Sequence, residues 1–246
     1  MFDTYAEIFA QRAAEYHRAM RQCPNARDAE FLAVLEPLRD RPPGLICDMP
    51  SGGGYLADYL WDGMEYLAVD PATDFFIEWP RPLPRLAAEI TRVPRPDQSV
   101  DYVVCLAGLH HEPSLADVFR EMRRLLRTGG RVTLADAAVD TPPARFLNGF
   151  VAANCPLGHD GRFLDGATAY ALQTAGFSIA DDRLVAVPWS FESFAEAGDF
   201  CRQLFGMTDL SADETAEALE REIGFDVVDG KPRLRWALRR IVADAV

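Results

Sequence analysis

Two short segments carry residue types that could hold a ligand: Asp48-Met49-Pro50-Ser51-Gly52-Gly53-Gly54, and Val69-Asp70-Pro71, in which Asp70 follows Asp48 by 22 residues. The first reads as a strand end that turns through a proline and three glycines into a helix. Without Cβ atoms, backbone amides there can approach a carboxylate or phosphate closely, although helix–sheet packing would ask for the same glycines. The second places a carboxylate at the carboxyl edge of a neighbouring strand, where open α/β sheets put the acid that accepts two ribose hydroxyls. Loop and acid together predict a ribose-bearing ligand. Nicotinamide dinucleotides and S-adenosylmethionine both satisfy that description, but the loop lacks the G-x-G-x-x-G that crowds a pyrophosphate onto a helix N-terminus. Pro50 fixes φ near about −65° and has no N–H, so it is expected where neither is needed. Asp48 is expected to order the loop by accepting hydrogen bonds from its amides.

Other residues could move protons. His110 and His111, followed by Glu112, come after an apolar run that reads as a strand. An imidazole with an unperturbed pKa of about 6.5 suits a general base near neutrality, and packing is the competing role for either histidine. His159 and Asp160 stand in the glycine-flanked stretch Leu157-Gly158-His159-Asp160-Gly161, which fits a substrate lid, an acceptor-polarising pair or an ordinary turn. No dense ligand motif accompanies these histidines, and no metal is expected.

The elements that must position these residues are legible from periodicity. Tyr5, Ile8, Phe9, Ala13 and Tyr16, then Phe31, Val34, Leu35 and Leu38, recur at helical spacing before Pro42 and Pro43. Short apolar runs follow at Leu45 to Cys47, Tyr66 to Val69, Tyr102 to Leu106 and Val132 to Ala135. Helical stretches at Tyr55 to Leu60 and Leu115 to Leu126 alternate with them, the latter with Thr128-Gly129-Gly130 as its C-cap. That alternation predicts an α/β fold, a doubly wound, mostly parallel Rossmann-like sheet with helices on both faces. A helix near Ala167 to Ala175 should stop at Gly176, and Phe177 to Val187 reads as a strand interrupted by Asp181 and Asp182 and closed by Pro188. Trp189 to Phe205 and Ala212 to Ile223 read as inserted helices, whose aromatic residues form a core face or the roof of a substrate pocket. Leu234 to Val242 fits a strand or a helix, and a strand is the reading adopted. The expected organisation is an N-terminal helical cap or lid over 1–42, a cofactor-binding core over 43–187, a C-terminal helical insertion over 188–230 and a terminal strand over 231–246 completing the sheet.

The loop and acid together resemble the class I S-adenosylmethionine-dependent methyltransferases, whose first motif runs hydrophobic-hydrophobic-D-x-G-x-G-x-G, with an acid closing the second strand. The resemblance continues through Arg92-Val93-Pro94-Arg95-Pro96-Asp97-Gln98-Ser99-Val100-Asp101-Tyr102-Val103-Val104, through Leu109-His110-His111-Glu112-Pro113, and from Glu121 through Gly130 into Arg131 to Ala135. It is clear over residues 45 to 136 and looser from about 5 to 187, and Pro50 stands where the family has a glycine. The resemblance implies S-adenosyl-L-methionine as cofactor and S-adenosyl-L-homocysteine as product. Gly52 and Gly54 would let the loop pass the methionine part, Asp70 would hold the ribose, with Pro71 beside it also in the cofactor site, Glu89 would cap the adenine amine, and Leu106 would offer backbone to the methionine end. Tyr16 and His17 fall where the family often folds a helix over the cofactor. His110 aligns with the histidine of an L-H-D-W stretch that serves as base in plant small-molecule O-methyltransferases, and His111 shares its candidacy.

Bulk properties narrow the partners. The chain has 246 residues and a formal net charge of −13, which would repel a phosphate backbone, so no nucleic acid is expected. The clusters Arg120/Arg123/Arg124/Arg127 and Arg233/Arg235/Arg239/Arg240 read as solvated or helix-end charges. Five scattered cysteines without a C-x-x-C pair point to reduced thiols and, with no membrane span or leader pattern, to a cytoplasmic protein. The expected partner is a small-molecule substrate; oligomeric state is left open, a homodimer included. The leading function is methyl transfer to oxygen, nitrogen or carbon of a small molecule. A catalytically silent cofactor-binding module, regulatory or scaffolding, is the alternative, and a nicotinamide oxidoreductase a more distant one.

Overall fold

Strands whose residues are apolar on both faces must be covered on both faces, and the architecture follows from that need. A computed structural model describes residues 5–78 and 81–246. Helices α1 (Tyr5–Gln22) and α2 (Asp28–Leu35) precede β1 (Leu45–Asp48), β2 (Glu65–Asp70), α3 (Asp74–Glu78), β3 (Arg85–Ala87) and β4 (Val100–Leu106). Next come α4 (Leu115–Leu125), β5 (Leu126–Asp136), and α5 (Pro142–Phe146), which runs through a π-helical turn at 147–151 into α6 (Ala152–Asn154). The chain ends with α7 (Gly166–Thr174), β6 (Phe177–Ala186), β7 (Trp189–Ser190), α8 (Phe194–Leu204), α9 (Ala212–Glu222), β8 (Phe225–Val228), β9 (Lys231–Leu234) and β10 (Ala237–Ala245).

Seven strands form one sheet in the order β3-β2-β1-β4-β5-β10-β6. β1, β2, β3, β4 and β5 pair in parallel, and β10 runs antiparallel to both neighbours. Alternate residues of each strand feed opposite cores. Ile46, Tyr102 and Val104 pack with Phe31, Val34 and Leu35 of α2. Cys47, Val103 and Cys105 pack with Val118, Phe119 and Met122 of α4 on the other side. Strand order reverses between β1 and β4, so their carboxyl ends open the crevice where such sheets bind ligands.

Several elements depart from the sequence reading, each for a local reason. Tyr55–Tyr59 is a short 3-10 turn rather than an α-helix. Thr128-Gly129-Gly130 does not cap α4; the residues between Leu126 and Arg131 bulge out of β5, where pairing jumps from Val100↔Leu126 to Tyr102↔Arg131 and Gly129 takes φ +76°. Asp181 and Asp182 do not interrupt β6, because Arg240 and Arg239 on the adjacent β10 donate to their carboxylates. Trp189 starts no helix and lies in β7, at the edge of a small antiparallel sheet β7-β9-β8. Lys231–Leu234, expected in the terminal strand, is part of that small sheet, and the terminal strand itself is β10.

Candidate functional site

The crevice at the ends of β1 and β4 deepens into a concave, largely apolar cavity, the kind of place where small molecules and cofactors bind. Its floor is the loop after β1, with Asp48, Pro50, Ser51 and Gly52, and the end of β4, with Leu106 and Ala107. Helix α1 covers it with Tyr5, Phe9, Arg12 and Tyr16, while Trp189 and Phe205 from the C-terminal insertion and Trp236 from the turn between β9 and β10 add aromatic wall.

The loop conformation depends on its glycines: Gly52 and Gly54 take φ +54° and +72°. A Cβ on Gly53 would stand 2.5 Å from the His17 ring of α1, so the third glycine lets the covering helix come down. Pro50 sits where no donor is needed, between the Met49 and Ser51 amides, which donate to Val104 and Val69 carbonyls of the neighbouring strands. The expected role of Asp48 is corrected. Its carboxylate accepts from the Tyr66 hydroxyl at 2.6 Å, and burial pushes its pKa up to about 7 against that bond. Asp70 holds the loop instead, accepting from the Gly52 amide at 2.7 Å and the Ala72 amide at 2.8 Å. The Tyr5 hydroxyl donates to the same carboxylate at 3.2 Å. Burial raises Asp70 to about 8, only partly offset by these three donors.

Tyr5 thus lies between two spaces. Glu89 does not face the cavity; it lines an adjoining groove shared with Tyr5, His111, Glu112 and Ser114. Gly54, Asp70 and Pro71 lie outside the cavity lining, whereas Asp48, Pro50, Gly52, Leu106, His110 and His111 are on it. Of the two residues expected over the cofactor, Tyr16 lines the cavity and His17 is fully buried behind it, bonded to Phe75 O and the Tyr55 hydroxyl. The Ser51 hydroxyl is buried at the cavity without a protein partner. A positive-φ glycine turn, a hydroxyl unpartnered among the described residues and an acid behind them fit the methionine and ribose ends of S-adenosylmethionine.

Opposite the loop stand three imidazoles. His110 Nδ1 bonds Asp136 Oδ1 at 2.7 Å, and the same carboxylate accepts from the His110 and Ala137 amides. A carboxylate oxygen accepts, so Nδ1 carries a proton, and the neutral tautomer compatible with this bond has its lone pair on Nε2. His159 Nδ1 bonds Asn148 Oδ1 at 2.8 Å, and the Asn148 amide is oriented by its two bonds to Gly161. Burial, then the neighbouring His110, lowers His159 to about 3 and His111 well below the usual imidazole range. Both are therefore neutral at physiological pH. One nitrogen from each of His110, His111 and His159 lies within 4.8 Å of the others. Nitrogens around a tetrahedral zinc at about 2.0 Å stand roughly 3.3 Å apart, so the trio would have to draw together to hold an ion.

Sequence reasoning missed three participants. Asp136 closes β5 as Asp70 closes β2, the same strand-end signal left unread. Arg12 falls at i+3 from Phe9 on the apolar stripe of α1, where a buried cation is unexpected. Asn148 carries no sequence signal. His159 does join the His110 pair, while Asp160 is exposed. The arginine clusters are largely matched by acids: Arg124 pairs with Glu121 and Asp97, and Arg240 with Glu36 and Asp181.

Comparison with known proteins agrees with this geometry. Residues 47–134 match the family model described as a methyltransferase domain. A demethylmenaquinone methyltransferase from Beutenbergia cavernae is 34% identical over 115 residues, 45% of this chain and 47% of that protein. A 27-O-demethylrifamycin SV methyltransferase from Amycolatopsis mediterranei is 42% identical over 57 residues, 23% of this chain and 21% of that protein. The chain thus spans under half the length of these curated relatives. A Thermotoga maritima structure described as a SAM-dependent methyltransferase, possible histamine N-methyltransferase, superposes with a TM-score of 0.61 at 17% identity, covering 97% of this chain and 98% of that one. Residues 47–134 thus match a methyltransferase domain, set in a fold that the Thermotoga structure shares over nearly the whole chain, with reversed strand order at β1 and β4 and an antiparallel β10.

Proposed function

We propose that the protein binds S-adenosyl-L-methionine over the loop 48–54 and transfers its methyl group to a small molecule held against the histidines. The observation that carries this reading is that loop, α1 cover and the His110–Asp136 pair line one cavity. Bound there, the cofactor would supply a sulfonium methyl group, open to in-line attack. The chain's contribution is alignment and exclusion of water by aromatic walls, which can account for much of the acceleration. Where the acceptor must lose a proton, His110 Nε2 takes it, and Asp136 stabilises the resulting imidazolium through Nδ1. Asp70 and, from the adjoining groove, Glu89 are assigned to ribose and adenine, with S-adenosyl-L-homocysteine leaving as product.

The names of the relatives, a demethylmenaquinone methyltransferase and a 27-O-demethylrifamycin SV methyltransferase, support a small-molecule acceptor, and the aromatic walls of the cavity suit an aromatic one. Tritiated-methyl incorporation across such acceptors tests the proposal. In the active combination His110→Ala should lower turnover by roughly 10²–10⁴-fold while S-adenosylhomocysteine affinity stays within twofold. Unchanged turnover removes His110 as base; tight cofactor binding without turnover on any acceptor supports a silent module instead.

A further inference from the structure

We propose that Arg12 is the counter-ion for an oxyanion carried by the methyl acceptor, so that the substrates of this cavity are aromatic acids rather than neutral aromatics. The proposal rests on the methyltransferase reading above and deepens it.

Arg12 is only 8% exposed, yet it lines the cavity. One guanidinium nitrogen donates to the Leu204 carbonyl. Among the described residues its Nε is buried without any partner, and no carboxylate pairs with it. A buried cation left unpaired is costly, and burial pushes the Arg12 guanidinium below its ordinary range. The acids that line the cavity are all engaged elsewhere: Glu30 with Arg27, Asp48 with Tyr66, and Asp136 with His110. Among the described residues no acid lining the cavity is free to serve Arg12, which leaves the counter-ion to a ligand.

Two ligands could bring one, because the cofactor's own methionine carboxylate is also an oxyanion. Position favours the acceptor. Arg12 packs against Leu204 and Gly206 of the C-terminal insertion, where a Cβ on Gly206 would meet Nε at 2.8 Å, and its charge depresses His111 and His159. At Gly52 the nearby side chain from α1 is Tyr16, whose hydroxyl lies 3.8 Å from the Cβ position, and at Gly53 it is His17. Planar guanidinium donors match a carboxylate geometry, and Phe9, Trp189, Phe205 and Trp236 supply aromatic walls around it.

The test compares 2-naphthoate with the isosteric, neutral 2-naphthamide, titrated at pH 7 into protein saturated with S-adenosylhomocysteine. The wild type should bind the acid at least tenfold more tightly than the amide. Arg12→Gln should abolish that preference with S-adenosylhomocysteine affinity within twofold of wild type, and Arg12→Lys should keep part of it. Equal affinities for acid and amide, or binding of neither, in the wild type overturns the proposal even should Arg12→Gln fail to fold. So does an Arg12→Gln variant that keeps the preference, or one that loses tenfold or more in S-adenosylhomocysteine affinity, which would give Arg12 to the cofactor. Failure of the wild type to bind S-adenosylhomocysteine at all would instead defeat the underlying methyltransferase reading.

Discussion

The Asp70 carboxylate does two jobs that pull in different directions. It holds the Gly52 and Ala72 amides, and it accepts from Tyr5, the contact that ribose hydroxyls would take over. Tyr5→Phe removes the competing donor and leaves the ring packed on Phe9, so S-adenosylhomocysteine should bind about two- to fivefold more tightly by calorimetry, a fraction of the worth of one hydrogen bond to a charged group. Unchanged or weaker affinity would mean that Tyr5 helps hold the ligand. Ribose donors stabilise the ionised carboxylate, whose pKa is held up to about 8 by burial. Affinity should therefore rise with pH from 6.5 towards 8.5 and level off above it, and Asp70→Asn should flatten that rise.

At the scale of elements, the site depends on how closely α1 descends on the loop. Gly53→Ala puts a methyl group 2.5 Å from the His17 ring, so loop and helix must separate. Overpacking of this kind costs about 1–3 kcal/mol, and thermal unfolding should show a lower midpoint together with weakened S-adenosylhomocysteine binding; retention of both would mean that α1 is not seated by this contact. The alternation of apolar runs with helical stretches made the sheet, α2, α4 and α7 legible in the sequence, because both strand faces and one helix stripe had to be apolar. Short elements were not. β3 has three residues, two of them exposed, and β7 has only two residues, inside an aromatic run that also fits a helix. Ion pairs between strands defeated the reading of Asp181 and Asp182, since a charge inside a strand looks like an interruption until its partner on β10 is known. Within the site, Asp70 and His110 were legible as strand-end residues, whereas the exchange of loop-ordering between Asp48 and Asp70 depends on which carboxylate the Gly52 amide reaches.

Over the whole molecule, two buried acids make stability depend on pH in an unusual direction. Asp48 and Asp70 are raised to about 7 and about 8, above their unfolded value of about 3.9. In that interval the native state holds more protons than the unfolded chain, so stability contributed by the protonated carboxyls is present below about pH 4 and declines as pH rises towards 8. Asp48→Asn should therefore melt higher than wild type at pH 8 by more than it does at pH 5; an equal difference at the two values would show Asp48 to be ionised throughout. A formal charge of −13 adds self-repulsion at high pH, and among the described residues no helix is long and apolar enough to cross a membrane. The cavity ties these scales together, since one ligand would bridge the loop, α1 and the sheet. Isothermal titration of S-adenosylhomocysteine into the wild type and Asp70→Ala tests that most directly. Saturable one-to-one binding by the wild type, weakened about 10- to 150-fold in the variant by loss of roughly 1.5–3 kcal/mol, is the predicted result; no binding by the wild type at millimolar ligand, or equal affinity in both proteins, would contradict it.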